Sequence, residues 1–177
     1  SEGDTVRWLI TGGCGFIGSS LIAWLRRESG HEIRVVDDLS ASTRADLEAV
    51  APVEERPAPH RWGAAVELVV GDVRDPDLAR TAAGGAEVIV HLAACTGVLP
   101  SIEDPRLDCE TNVLGTLNYL EAARHGGARA FVLASSGAPL GEQEPPIHEE
   151  KVPRPISPYG ASKLCGEAYC SAYHGSF

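Results

Sequence analysis

Tyr159 and Lys163 stand four residues apart in the run Ser157-Pro158-Tyr159-Gly160-Ala161-Ser162-Lys163. Residues at i and i+4 share a helix face, and the segment from Leu164 to Tyr173 has no Pro and one Gly. It reads as a helix that Pro158 opens. A phenol beside a fixed ammonium is a candidate proton-transfer group. A free tyrosine has a pKa of about 10, so roughly one in a thousand is ionised at pH 7. Bringing that value down to about 7 takes roughly 4 kcal/mol of preference for the phenolate. Nearby positive charge in a water-poor site can supply it. Alone, Tyr-x-x-x-Lys is common by chance, so its meaning depends on the elements around it.

The first of those elements opens the chain. Arg7-Trp8-Leu9-Ile10 reads as a short buried strand and runs into Thr11-Gly12-Gly13-Cys14-Gly15-Phe16-Ile17-Gly18. An amphipathic helix follows, with Phe16, Ile17, Leu21, Ile22 and Leu25 apolar. Strand, glycine turn and helix in this order form the dinucleotide-binding fingerprint. The turn lets a pyrophosphate approach the backbone, and the helix N-terminus offers it free N–H groups and partial positive charge. A second strand, Glu32-Ile33-Arg34-Val35-Val36, ends at Asp37, 19 residues beyond Gly18. A carboxylate there accepts hydrogen bonds from the adenosine ribose hydroxyls and repels a 2′-phosphate, which favours NAD over NADP.

Composition sets bounds on the rest. The chain has 177 residues, 44% hydrophobic and 23% charged, enough for one ordinary core. Its net charge of −10 argues against nucleic acid or an anionic membrane as the main partner. No apolar run reaches ~18 residues, and the residues before the first strand do not read as a signal peptide. Five cysteines, Cys14, Cys95, Cys109, Cys165 and Cys170, are odd in number and lack Cys-x-x-Cys spacing. They read as reduced, mostly buried thiols of a cytoplasmic protein. The six histidines are scattered without ligand spacing, so no metal site is expected.

Strands are expected at 6–11, 32–37, 66–71, 87–92 and 129–135, and helices at 16–29, 43–50, 75–83, 105–125 and 158–174. Runs such as Val66-Glu67-Leu68-Val69-Val70 and Val88-Ile89-Val90 suit a parallel sheet covered on both faces. The alternation predicts an α/β fold, a doubly wound parallel sheet of Rossmann type. Residues 51–65 read as a Pro-rich surface connection, and 139–157, with five prolines, as a loop over the carboxyl end of the sheet.

Taken together, these motifs resemble the extended short-chain dehydrogenase/reductases, in particular the NAD-dependent sugar epimerase/dehydratase group, with the nearest likeness to UDP-glucose 4-epimerases. The resemblance runs from Thr11-Gly12-x-x-Gly15-x-x-Gly18 to Tyr159-x-x-x-Lys163. Between them, Val36-Asp37-Asp38-Leu39-Ser40 is similar to the family's ribose-binding strand end, and Gly71-Asp72-Val73 to its adenine-contacting turn. His91-Leu92-Ala93-Ala94 matches the strand end beneath the nicotinamide ribose, and Asn112-Val113-Leu114-Gly115-Thr116 the segment whose Asn supports the active site. Ala134-Ser135-Ser136 ends the strand that carries the catalytic Ser or Thr; counting back from Gly141 puts Ser136 there, with Ser135 the second choice. The resemblance thus implies NAD held by Gly12, Gly15, Phe16, Ile17, Gly18, Asp37, Asp38, Asp72, Val73, Leu92, Ala93, Ala94, Asn112, Tyr159 and Lys163. It also implies a UDP- or TDP-hexose substrate and a homodimer built from the helices at 105–125 and 158–174. Apolar faces there are Val113, Leu117, Leu120 and Leu164, Ala168, Ala172.

In the mechanism so implied, Tyr159 is the base on a sugar hydroxyl, Lys163 lowers its pKa and holds the nicotinamide ribose, and Ser136 bonds the same oxygen. A hydride passes to NAD and returns to the other face of a 4-keto sugar. There are departures. Gly137-Ala138 replace the Asp-Glu pair of the 4,6-dehydratases, which argues against dehydration, and Leu140 replaces an aromatic before Gly141. The family continues past this point through further strands and a small sugar-binding domain, so residues 1–177 read as a NAD-binding domain incomplete at its C-terminal end. Two other readings stay open: an NAD(P)-linked short-chain reductase, and a non-catalytic dinucleotide sensor, which has no need of Ser136, Tyr159 and Lys163 together.

Overall fold

The computed structural model describes residues 5–28, 30–57, 61–63 and 66–177. Six strands, β1 (Val6–Thr11), β2 (His31–Asp37), β3 (Val53–Arg56), β4 (Val66–Val70), β5 (Val88–His91) and β6 (Ala130–Leu133), form one parallel sheet in the order β3-β4-β2-β1-β5-β6. Helices α1 (Phe16–Leu25), α2 (Arg44–Glu48), α3 (Pro76–Ala82), α4 (Val98–Glu103), α5 (Pro105–Cys109), α6 (Gly115–Gly126) and α7 (Pro158–Ser176) cover it. A π-helical turn, Glu110–Leu114, joins α5 to α6.

Strand alternation divides the core between the two faces. Ile10, Val35, Leu68, Val88 and Val90 pack with Ile22 and Leu25 of α1 and Leu47 of α2. Leu9, Val36, Val69 and Ile89 pack with Ala79 and Ala82 of α3 and Tyr119, Ala122 and Ala123 of α6. Both faces are covered, which explains why β4 and β5 read as continuous apolar runs. Strand order reverses at β1, which has β2 on one side and β5, reached from β4 through α3, on the other. In such sheets the crevice at the carboxyl ends beside the reversal takes the ligand. Thr11, the last residue of β1, stands beside Val36 and His91 at that point.

The expected α/β architecture is present, with four differences. Val53–Arg56 is a strand inside the stretch read as a connection; residues 58–60 and 64–65 of that stretch lie outside the described residues. It pairs only with β4, and an edge strand tolerates the charges of Glu54, Glu55 and Arg56, which guard it against further pairing. The first helix ends at Leu25, four residues short of the expected 29, because Arg26 and Arg27 turn the chain out; Ser29 is outside the described residues. The 105–125 helix is broken by the π turn. Finally, α4 was not expected: Pro100 sits in its first turn, where a missing N–H costs nothing.

One polar cluster is buried on the sheet. Arg34 of β2 is fully enclosed, its Nε donating to Glu67 Oε2 of β4 at 2.6 Å and its Nη1 to Ala82 O at 2.8 Å. Its guanidinium lies 4.0 Å from the Trp62 ring centre, and Trp62 Nε1 donates to Gly84 O at 2.9 Å. The cluster ties β2, β4, α3 and the segment around Trp62 together.

Candidate active site

A cleft of about 690 Å³ opens at the carboxyl ends of β1, β2, β4 and β5. Its floor is the glycine turn. Gly12 has φ +67°, and a Cβ there would lie 2.8 Å from the backbone N of Ala93, so no other residue fits. A Cβ on Gly18 would lie 2.6 Å from Gly13 Cα, so α1 rests directly on the turn. No side chain caps α1, and its first N–H groups face the cleft with the partial charge of the helix end. Phe16 and Ile17 stand at the mouth, 88% and 62% exposed.

Asp37 closes one wall. It is 7% exposed, with Oδ2 accepting the Cys14 N–H at 3.0 Å and Oδ1 accepting the Leu39 N–H at 2.9 Å. Two backbone donors fix its orientation and leave lone pairs toward the cleft. Burial, and then the charge of Asp37, push the Cys14 thiol up to about 12, so it stays protonated. Asp38 also lines the cleft, its Oδ1 accepting from the Ser40 N–H at 2.9 Å and hydroxyl at 2.6 Å. Leu39 has φ +59°, and this turn brings Ser40, Ala41 and Ser42 into the lining. At the far end, Asp72 and Val73 contribute. Asp72 pairs with Arg74 at 2.6 Å, which holds its carboxyl below the usual range, and Arg74 reaches Glu110 of the π turn at 3.5 Å.

The inner end is made by Leu92, Ala93, Ala94, Cys95 and Thr96 after β5. Thr11 Oγ1 accepts the N–H groups of Leu92 (3.1 Å) and Ala93 (3.2 Å) and meets His91 Nδ1 at 2.7 Å. Burial, and then the Lys163 charge, hold His91 down to about 3, so it is neutral. Asn112 is behind this wall rather than on it. Its Oδ1 accepts the Cys95 N–H at 2.8 Å and its Nδ2 faces Cys95 O at 3.0 Å, Asp108 Oδ1 at 2.9 Å and Ser162 Oγ at 3.1 Å. The cleft residues from this segment are Leu107 and Thr111.

Lys163 is 6% exposed and donates to Ala134 O at 2.9 Å, and Ala134 lines the cleft. Burial lowers its pKa, and the charge of Asp108 opposes that shift. Its Nζ is 5.9 Å from the Tyr159 ring centre. Pro158 opens α7, and the Ser157 hydroxyl caps it by accepting the Gly160 N–H at 3.0 Å. At the end of β6 the two serines part. Both are exposed; the Ser135 hydroxyl donates to Glu167 of α7, and Ser136 Oγ accepts the Ala138 N–H at 3.1 Å. Missed by sequence reasoning were Ala41, Ser42, Arg74, Cys95, Thr96, Leu107 and Thr111. All but Leu107 lie within two residues of a recognised stretch, and that adjacency was the available signal.

A parallel sheet with a glycine-floored cleft at its reversal point, an aspartate on the second strand and a Tyr/Lys helix at the inner end defines a dinucleotide-binding α/β protein. The chain belongs to the NAD dependent epimerase/dehydratase family, whose pattern it matches over residues 8–177. It is 37% identical over 175 residues to the UDP-glucose 4-epimerase of Mycolicibacterium smegmatis, covering 97% of this chain and 52% of that protein. The crystal structure of Thermus thermophilus UDP-glucose 4-epimerase in complex with NAD is 36% identical with a TM-score of 0.80, over 97% of this chain and 52% of that one. A dTDP-glucose 4,6-dehydratase of Streptomyces venezuelae, with NAD and TYD bound, is 33% identical with a TM-score of 0.83, again over 97% and 52%. The chain therefore spans about half the length of the relatives it matches. No described helix is long and apolar enough to cross a membrane, and no group of metal-ligating side chains occurs among the described residues.

Proposed function

We propose that residues 1–177 are the cofactor-binding and catalytic domain of a cytoplasmic, NAD-dependent nucleotide-sugar 4-epimerase. One observation carries this reading: Lys163, with Tyr159 on the same helix face, meets the inner end of the cleft at Ala134. The cleft fits NAD. The glycine floor and the uncapped α1 N-terminus suit a pyrophosphate, and the oriented Asp37 carboxylate suits the adenosine ribose. When bound there, NAD supplies a reversible hydride acceptor. Tyr159 takes the proton of the sugar 4-hydroxyl and later returns it; Lys163 keeps positive charge beside the phenol and ribose; Ser136 bonds the same sugar oxygen. Gly137 and Ala138 supply no acid for elimination, which favours epimerase over dehydratase. The substrate class is a UDP- or TDP-hexose. The test is incubation of UDP-glucose with NAD and the whole polypeptide, following UDP-galactose by NMR. Absence of interconversion in a protein that binds NAD refutes the proposed reaction.

Asp37→Ala is expected to weaken NAD binding and raise the NADP/NAD affinity ratio, because the ribose acceptor and the repulsion of a 2′-phosphate go together. Calorimetric titration of both cofactors measures this. A preference for NADP in the unmutated protein counts against it.

We also propose a homodimer through α6 and α7. Of the faces expected to form it, Leu120 is buried in the core instead, while Ala168 and Ala172 are exposed. Leu114 and Tyr169 are exposed on the same segments and extend the apolar surface. Sedimentation at micromolar concentration should give twice the chain mass; a monomer there overturns the dimer.

A further inference from the structure

We propose that Ser101 is a positioning residue for Tyr159, and that its hydroxyl sets how closely the phenol approaches Lys163. This rests on the reading of Tyr159 as the base. Ser101 lies on α4 and is 2% exposed. Its Oγ donates to Val98 O at 2.7 Å and accepts the backbone N–H of Tyr159 at 3.1 Å. Tyr159 is the second residue of α7, so its N–H is one of those that helix geometry leaves without an intrahelical acceptor. The cap residue Ser157 serves Gly160, and Ser101, brought from 58 positions away, serves Tyr159.

The other side of the same residue is also held. Ser162 Oγ donates to the Tyr159 carbonyl at 3.0 Å and faces Asn112 Nδ2 at 3.1 Å. Asn112 in turn grips Cys95 through both its amide atoms. The first turn of α7 is thus bound to the two segments that build the inner end of the cleft, around 95–101 and 108–112. A helix end otherwise frays, because its first turn has the fewest internal bonds. Lys163 is fixed separately, through Ala134 O. The place of the phenol relative to that ammonium is therefore set through the backbone of Tyr159, and a proton-transfer group loses rate when it is displaced. Ser101 is not part of the cleft lining and acts only through this backbone contact.

The readout separates rate from binding. UDP-galactose formation from UDP-glucose by the whole polypeptide is followed by NMR, and NAD affinity by calorimetry. Ser101→Ala should lower kcat by roughly 10- to 100-fold, the loss a misplaced catalytic group brings, with KM and NAD affinity unchanged. Ser101→Cys keeps the volume but accepts hydrogen bonds weakly, so it should lose rate in the same way in a protein that folds. Ser101→Thr keeps the hydroxyl and should restore kcat. An unchanged kcat in Ser101→Ala and Ser101→Cys, beside a large loss in Tyr159→Phe, overturns the proposal while the base assignment stands. Equal rates in the unmutated protein and Tyr159→Phe, or no turnover in an unmutated protein that binds NAD, overturn the base assignment and this proposal together.

Discussion

If Tyr159 is the base of the proposed reaction, Tyr159→Phe is expected to lower turnover of UDP-glucose by the whole polypeptide by about 10²–10⁴, the usual contribution of a positioned general base, while NAD binding and folding persist. The substitution removes one ionisable oxygen and nothing else. The backbone contacts of Tyr159, to Ser101 and Ser162, are made by its N–H and C=O and survive. So does the bond from Lys163 to Ala134. Comparing wild type and variant in the same NMR assay of UDP-galactose formation checks this, with NAD affinity measured alongside. Equal rates in the two proteins remove Tyr159 from its role. A loss of NAD affinity as large as the loss of rate would instead make Tyr159 a binding residue.

The glycine turn and Asp37 could be read because their chemistry is local: a tight turn, a helix end and a strand end all show in consecutive residues. The sheet could be read for a related reason. Leu9-Ile10, Val35-Val36 and Leu68-Val69 place one apolar side chain on each face, which only a doubly covered strand requires. What the sequence concealed depends on partners far along the chain. β3 is a strand because β4 offers it a free edge, and Val53-Glu54-Glu55-Arg56 carries no pattern of its own. The π turn at Glu110–Leu114 adds one residue to a turn and rotates the helix faces on either side of it, which no residue type in the run announces. It was legible only once Asn112 was seen bonded to Cys95 and Ser162. For the same reason the Asn112 motif was found, but its place behind the wall was not. Leu120 looked like an interface residue because helical periodicity does not say which neighbour, sheet or partner, takes the apolar face.

Glu67→Ala is expected to destabilise the fold by about 3–5 kcal/mol, the cost of removing one partner from a buried ion pair. Arg34 is enclosed, and its Nε faces Glu67 Oε2 at 2.6 Å. Taking the carboxylate away removes one charged partner from an enclosed guanidinium. The stacking of Trp62 on the guanidinium and the bond to Ala82 hold the side chain in that place. The control is Glu32→Ala, which breaks the half-exposed pair with Arg7 at 3.0 Å; such a pair is worth about 0–1 kcal/mol. Urea unfolding of both variants gives the comparison. Similar midpoints for the two would show that the buried pair contributes no more than a surface one. Replacing both partners together, Arg34→Met with Glu67→Leu, should recover much of the loss, because it is the uncompensated charge that is costly.

The two margins of the sheet are unlike. β3 presents Glu54, Glu55 and Arg56, with Glu55 held by Arg44 and Glu54 by Arg56. β6 presents Ala130-Phe131-Val132-Leu133, pairs with β5 on one side only, and leaves Val132 50% exposed. Charge repels an incoming strand; an apolar row with unpaired N–H and C=O groups invites one. Aggregation of this polypeptide should therefore begin at β6 and not at β3. Val132→Lys is the substitution to try when concentrated samples of residues 1–177 are needed.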